Sequence, residues 1–193
     1  MKQDILNSLQ EAQTVLNNLI NNESVINAID EASEIIINSL KQDGHIFSCG
    51  NGGSMCDSIH FAEELSGKFR EPRKPLSAIA ISDAAHITCV GNDFGFEYIF
   101  SRFLESNGKK GDILFCISTS GESNNIIKAI ESARKIGMKI IALTGRTKSS
   151  ITSLADLAIV TETNLPYSDR IQELHIKVIH VVIEIIEKKM FKS

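Results

Sequence analysis

Apolar residues recur at helical spacing through the N-terminal part of the chain. Ile5, Leu9, Ala12, Leu16 and Leu19 or Ile20 share one face of a first predicted helix, which breaks at Asn21-Asn22-Glu23-Ser24. Val25, Ile26, Ile29, Ala32, Ile36 and Leu40 share a face of a second, ended by Lys41-Gln42-Asp43-Gly44 with Gly44 as the expected C-terminal cap. From residue 45 the rhythm changes. Apolar runs over 45–49, 77–81, 112–117, 139–144 and 156–160 are too short for helices and read as buried strands. Helices are predicted over 54–66, 83–90, 95–106, 123–136 and 168–189.

Strands that are apolar throughout belong to a parallel sheet covered on both faces. Alternation with helices and right-handed crossovers then predict an α/β fold. It is a three-layer αβα sandwich around a five-stranded parallel sheet, with two helices in front. The chain has 193 residues, 3 prolines, and no repeat, low-complexity stretch or long polar gap. It therefore reads as a single domain over 1–193, with helices over 1–42 and the sandwich over 43–193.

Composition narrows the function. Lys+Arg 20 against Asp+Glu 24 gives a net charge of −4. The densest basic stretch, Lys68 to Lys74, is short and interrupted by Glu71 and Pro72, so no nucleic-acid partner is expected. No apolar stretch is long enough to span a membrane, and MKQDILNSLQ lacks the apolar core and cleavage site of a signal peptide. Cys49, Cys56, Cys89 and Cys116 form no C-x-x-C pair. The expectation is a cytoplasmic protein whose thiols are reduced and buried in the core.

Open α/β sheets bind ligands beyond the carboxyl ends of their strands. Two loops occupy that place. Gly50-Asn51-Gly52-Gly53-Ser54 follows the first strand and lets backbone approach a ligand closely. Ser118-Thr119-Ser120-Gly121-Glu122-Ser123 follows the third; its hydroxyls and the next helix's amides make a phosphate cradle. Neither loop has the G-x-G-x-x-G spacing or the Lys-Ser/Thr of a nucleotide loop, so a phosphorylated small molecule is expected, not a dinucleotide or ATP. On the helix after the glycine loop, His60 and Glu64 are four apart and share a face, a spacing that can hold a metal. His180 lies in an otherwise apolar run of the last helix, either as a core histidine or as a desolvated catalytic one. Gln172 is eight residues earlier, so spacing alone does not bring it to the same ion. Asp83 and His86, then Asn92-Asp93, follow the second strand as turn formers or sugar-hydroxyl ligands.

As an ordered set these stretches resemble the phosphoheptose isomerases, a family of SIS (sugar isomerase) domain proteins. The resemblance covers about residues 3–190. It is carried by Ser48-Cys49-Gly50-Asn51-Gly52-Gly53-Ser54, His60-Phe61-Ala62-Glu63-Glu64-Leu65, Val90-Gly91-Asn92-Asp93-Phe94-Gly95-Phe96, Ile117-Ser118-Thr119-Ser120-Gly121 and the run from Asp169 to His180. It implies a flavodoxin-like sandwich and a homotetramer, with the helices of 1–42 taking part in assembly. It also implies one Zn2+ per subunit on His60, Glu64, Gln172 and His180. Substrate contacts are implied for Asn51, Gly52, Gly53, Glu64, Asn92, Asp93, Ser118, Thr119, Ser120, Ser123 and Gln172. The implied reaction converts sedoheptulose 7-phosphate to D-glycero-D-manno-heptose 7-phosphate through an enediol, with Glu64 as base and His180 as acid. That step opens ADP-heptose synthesis for the lipopolysaccharide core.

Two positions depart from the family pattern. Glu122 stands in a phosphate loop that often reads Ser-Gly-Asn-Ser, so its carboxylate must point away. Gly67-Lys68 replaces a common Gly-Arg, and lysine lacks the bidentate fork. The rival reading is a non-catalytic SIS protein that binds a sugar phosphate and associates with a replication initiator. The joint presence of His60, Glu64, Gln172 and His180 argues for the enzyme.

Overall fold

The computed structural model describes residues 1–191, so the last two residues of the expected 1–193 domain lie outside the described residues. The N-terminal helices are α1 (Lys2–Ile20) and α2 (Glu23–Lys41). Asn22 separates them and caps α2, its side-chain oxygen accepting from the Val25 amide at 3.4 Å. Gly44 takes part in the cap through its amide, which donates to the Ser39 carbonyl at 2.9 Å, but the left-handed position falls one residue earlier. Asp43 takes the left-handed turn at φ 56, which a short polar side chain tolerates. Gly44 also provides space, since a Cβ there would lie 2.2 Å from Ser39 Oγ.

Among the described residues five strands follow: β1 (Ile46–Gly50), β2 (Ala78–Ala80), β3 (Ile113–Ser118), β4 (Lys139–Thr144) and β5 (Leu157–Val160). They pair in parallel in the order β2-β1-β3-β4-β5. That is the flavodoxin-like order. The helices between and after them are α3 (Gly53–Ser66), α4 (Ala84–Asp93), α5 (Ser101–Asn107), α6 (Asn124–Ile136), α7 (Ser150–Leu154) and α8 (Asp169–Phe191).

Strand side chains alternate between two cores, as the pleat requires. Ile113, Phe115 and Ile117 enter one shared with α2, α3 and α8, while Leu114 and Cys116 enter the other beneath α4 to α7. The apolar run in α8 is explained by Val178, Ile179, Val182, Ile183 and Ile186, all buried against the first core. Among the described residues no helix is long and apolar enough to cross a membrane.

Four local expectations are corrected. The helix expected over 95–106 is broken: Gly95 turns the chain at φ 113, a 3-10 turn covers Phe96–Tyr98, and α5 starts only at Ser101. Ile99 and Phe100, adjacent in sequence, are both wholly buried, which the break accommodates. The short helix α7 was not expected, because among its residues Ile151 alone is buried and no apolar stripe marks it. Asn92 and Asp93 end α4 and do not sit in a loop between helices. Cys49 and Cys116 are buried register partners, and burial pushes the Cys116 thiol up to about 12. Cys56 and Cys89, however, are exposed; all four thiols are free.

Candidate active site

The strand order reverses direction between β1 and β3, which are neighbours in the sheet. Chains leaving these strands enter α3 on one face and α6 on the other, opening a crevice at their carboxyl ends. The glycine loop forms one wall. Gly52 adopts φ 55 and starts α3 without a side-chain cap, so the first amides of the helix have no side-chain partner there. Gly53 leaves room for a neighbour: a Cβ there would lie 1.8 Å from the Gln172 side-chain nitrogen. The structure thus sets Gln172, from the first turn of α8, against the glycine loop.

The serine loop forms the other wall. Ser118 Oγ lies 3.3 Å from Ser123 Oγ and 3.5 Å from Ser120 Oγ, and it accepts from the Gly121 amide at 3.1 Å. Ser123 is the N-cap of α6 but makes no side-chain cap bond, so its hydroxyl is not spent on the helix. Glu122 points out of the cradle, as its presence there required. Its carboxylate accepts from the Ser150 amide at 2.8 Å and the Ser150 hydroxyl at 2.6 Å, at the start of α7. Those two bonds hold the carboxyl below its ordinary range.

A link between the walls had no sequence signal. Asn51 and Asn125 exchange two amide hydrogen bonds, at 2.9 and 2.8 Å, across the crevice. Asn125 is almost wholly buried in the first turn of α6. The partners are far apart in sequence, and each residue alone reads as an ordinary turn or cap.

Deeper along α3 and α8, His60, Glu64 and His180 converge, with ligating atoms all within 4.8 Å of one another. His60 Nε2 is 2.9 Å from His180 Nε2 and 3.5 Å from Glu64 Oε1. The Glu64 side chain is 16% exposed and His60 38% exposed, so the cluster is shielded but reachable. Burial, reinforced by neighbouring His60, holds the His180 imidazole below its ordinary value against the pull of Glu64. One turn before His60, burial pushes the Asp57 carboxyl up to about 6 against the nearby imidazole, and Asp57 Oδ2 has no hydrogen-bond partner. Two imidazole nitrogens cannot face each other at this distance with both lone pairs bare; a proton or a cation must lie between them. With a carboxylate beside them, the donor set suits a divalent metal that accepts nitrogen and oxygen ligands.

Gln172 is eight residues from His180 on α8, about 12 Å along a helix, and it meets Gly53. Asn92 and Asp93 lie exposed on α4, in the opposite layer, where Asn92 donates to Asp93 at 2.7 Å. Asp83 caps α4 by accepting from the His86 amide at 2.7 Å, and His86 Nε2 lies 2.8 Å from the Ile99 carbonyl oxygen, so both have structural partners. Lys68 lies exposed just past the end of α3.

A hydroxyl cradle at the switch point of a 2-1-3-4-5 sheet, with a His-Glu-His cluster about two turns along the helix that leaves β1, defines an α/β protein built for a phosphorylated small molecule. A family model described as the SIS domain matches residues 9–145, most of the chain, ending at the close of β4 and before α8. Full-length relatives cover the rest. The phosphoheptose isomerase of Glaesserella parasuis serovar 5 is 56% identical over 191 residues, 99% of each chain. The solved phosphoheptose isomerase from Neisseria gonorrhoeae superposes with a TM-score of 0.89 at 34% identity, covering 97% of this chain and 98% of that one. That from Francisella tularensis gives 0.90 at 33%, covering 97% and 99%. The chain belongs to the SIS domain family and, within it, to the phosphoheptose isomerases.

Proposed function

We propose that the chain is an aldose–ketose isomerase that converts sedoheptulose 7-phosphate to D-glycero-D-manno-heptose 7-phosphate through an enediol. What carries this reading is the approach of Glu64 and His180 from two different helices, one of which, α3, starts at the crevice that the hydroxyl cradle lines. Family membership supplies the substrate. The reaction moves a proton between C1 and C2 and a second proton between the two oxygens. Glu64, shielded and acceptor-only when ionised, takes the carbon-bound proton and returns it to the neighbouring carbon. His180 protonates and deprotonates the sugar oxygens, a role favoured by an imidazole whose charged form is disfavoured. Ser118, Thr119, Ser120 and Ser123 hold the phosphate together with the amides of α6. Asn51, Gly52, Gly53 and Gln172 orient the chain of hydroxyls. Phosphate binding far from the reacting carbons then fixes the open-chain sugar in position.

His60, Glu64 and His180 would hold one Zn2+ per subunit; a group bound to the ion is a poorer proton acceptor, so Glu64 and His180 would each do one job at a time. Gln172 is the fourth ligand that the resemblance assigns, and its amide is available to substrate over Gly53 as well. When bound, the ion supplies positive charge for the developing oxyanion. The resemblance further puts the product at the start of ADP-heptose synthesis for the lipopolysaccharide core.

The domain is read as one subunit of a homotetramer. Ile5, Leu6, Leu9, Ile20 and Ile26 are exposed on α1 and α2. Leu16, Leu19, Ile20, Ile26, Val181 and Ile185 line an apolar groove of about 660 Å³ that reaches His180. Other copies covering these helices would remove that surface from water. A second copy is also the proposed source of Asn92 and Asp93 for each pocket. Two experiments test the activity and the assembly. Purified protein should turn over sedoheptulose 7-phosphate, and thorough chelation should abolish that turnover until zinc is restored; no turnover with or without zinc refutes the activity. Light scattering should give four times the subunit mass, falling to monomer in Leu9→Glu/Ile20→Glu; a monomeric wild type refutes the assembly.

A further inference from the structure

We propose that Arg73 and Glu187 are positioning residues: a buried clamp that fixes the Glu64 end of α3 against α8 and so sets Glu64 and His60 opposite His180. The inference rests on the isomerase and metal reading above. Arg73 lies between α3 and β2, in a stretch that the sequence marks only as a short basic run. Its side chain is 2% exposed and that of Glu187 is 5%. Arg73 Nε donates to Glu187 Oε1 at 2.8 Å. Nη2 donates to the backbone carbonyl of Glu64 at 2.6 Å, and Nη1 to that of Leu65 at 2.7 Å. Longer contacts at 3.3 Å reach the carbonyls of Gly67 and Lys74. The second Glu187 oxygen accepts from the Arg70 amide at 3.4 Å.

A helix leaves its last four carbonyls without intrahelical donors, and α3 ends at Ser66, so Glu64 and Leu65 are among them. Here a buried guanidinium supplies the donor to Glu64, shares the Leu65 carbonyl with the Leu76 amide (3.0 Å), and places positive charge at the negative end of the helix. The planar fork sets separate N–H groups, fixed in direction, on the carboxylate and on each carbonyl; an ammonium offers three donors from a single nitrogen on a flexible stem. The other half of the clamp, Glu187, is seven residues beyond His180 on α8, two turns and about 10 Å along the same helix. The segment bearing the base is thereby tied to the helix bearing the acid. A buried ion pair adds little stability over an apolar replacement of similar size, which leaves placement as what this one contributes.

The test compares Arg73→Lys, Arg73→Met, Glu187→Met and the double methionine variant in the full chain. The readouts are melting temperature, zinc affinity by competition with a chromophoric chelator, amide hydrogen exchange over 60–67, and kcat and KM on sedoheptulose 7-phosphate. Single methionine variants leave one charge buried alone and should melt well below wild type. The double variant should regain most of that melting temperature yet keep fast exchange at the end of α3. Its zinc affinity should stay reduced roughly 10–100-fold. Its kcat should stay about 10²-fold low, with KM within about threefold of wild type. Arg73→Lys should show the same split with little loss of melting temperature. Wild-type kcat, zinc affinity and exchange in the double variant or in Arg73→Lys would overturn the clamp. So would losses that simply track melting temperature across the set. If wild-type protein turns over no sugar phosphate, the functional reading fails while zinc affinity and exchange still decide the clamp.

Discussion

Glu64 and His180 illustrate how one residue type acquires two uses. Glu63 and Glu64 are neighbours on α3, yet the Glu63 side chain is 61% exposed and that of Glu64 16%. The difference is a rotation of one residue on the helix, which turns Glu64 toward α8 and leaves Glu63 in solvent. His175 shows the opposite outcome for a histidine near a site. It is wholly buried, neither ring nitrogen makes a well-formed hydrogen bond, and burial pushes its imidazole down to about 4 against the pull of the Thr144 backbone. Gly53 carries a residue-scale prediction. In Gly53→Ala the new methyl displaces the flexible end of Gln172 and no backbone, so the fold should survive. We expect a melting temperature within a few degrees of wild type and a KM raised roughly tenfold, about the value of one hydrogen bond to substrate. Unchanged KM would show that Gln172 does not orient the sugar.

At the scale of elements, the serine loop is held by its neighbour. Glu122 ties it to the start of α7, the helix that the apolar pattern did not reveal. Glu122→Ala should loosen the loop and raise KM for the sugar phosphate roughly three- to tenfold through the cost of ordering it on binding, with kcat preserved. A lowered KM would mean that the carboxylate repels the phosphate instead. The same element shows what the sequence could tell. Long stripes such as those of α2 and α8 were legible because each buries one continuous face. Five residues burying only Ile151 leave no period to read, and the break at Gly95 is set by two adjacent side chains that enter the core together. The two cradles were legible as loops after strands. Asn51 with Asn125, and Arg73 with Glu64 and Glu187, were not, because each is a contact between residues distant in sequence whose types are ordinary at their own positions.

For the whole molecule, the net charge of −4 and an anionic substrate are compatible, because the cradle is built of hydroxyls and amides that a count of formal charges omits. Stability should respond to pH through His175. Its folded value lies near 4, below the ordinary 6.5, so the unfolded chain binds more protons between those values. That contribution is complete above pH 6.5 and is lost as pH falls toward 4. His175→Leu should therefore lose less stability than wild type between pH 7 and pH 4.5 in urea unfolding, by up to about one proton of slope. Parallel curves would show that the histidine is not buried neutral.

The central claim is that Glu64 and His180 move the protons. It is tested most directly by turnover of sedoheptulose 7-phosphate by wild type, Glu64→Gln and His180→Gln, with substrate affinity and melting temperature measured on the same samples. Wild type should turn over the sugar and each variant should lose roughly 10²–10⁴-fold, with fold intact and sugar phosphate still bound. Near wild-type turnover in either variant would contradict the claim.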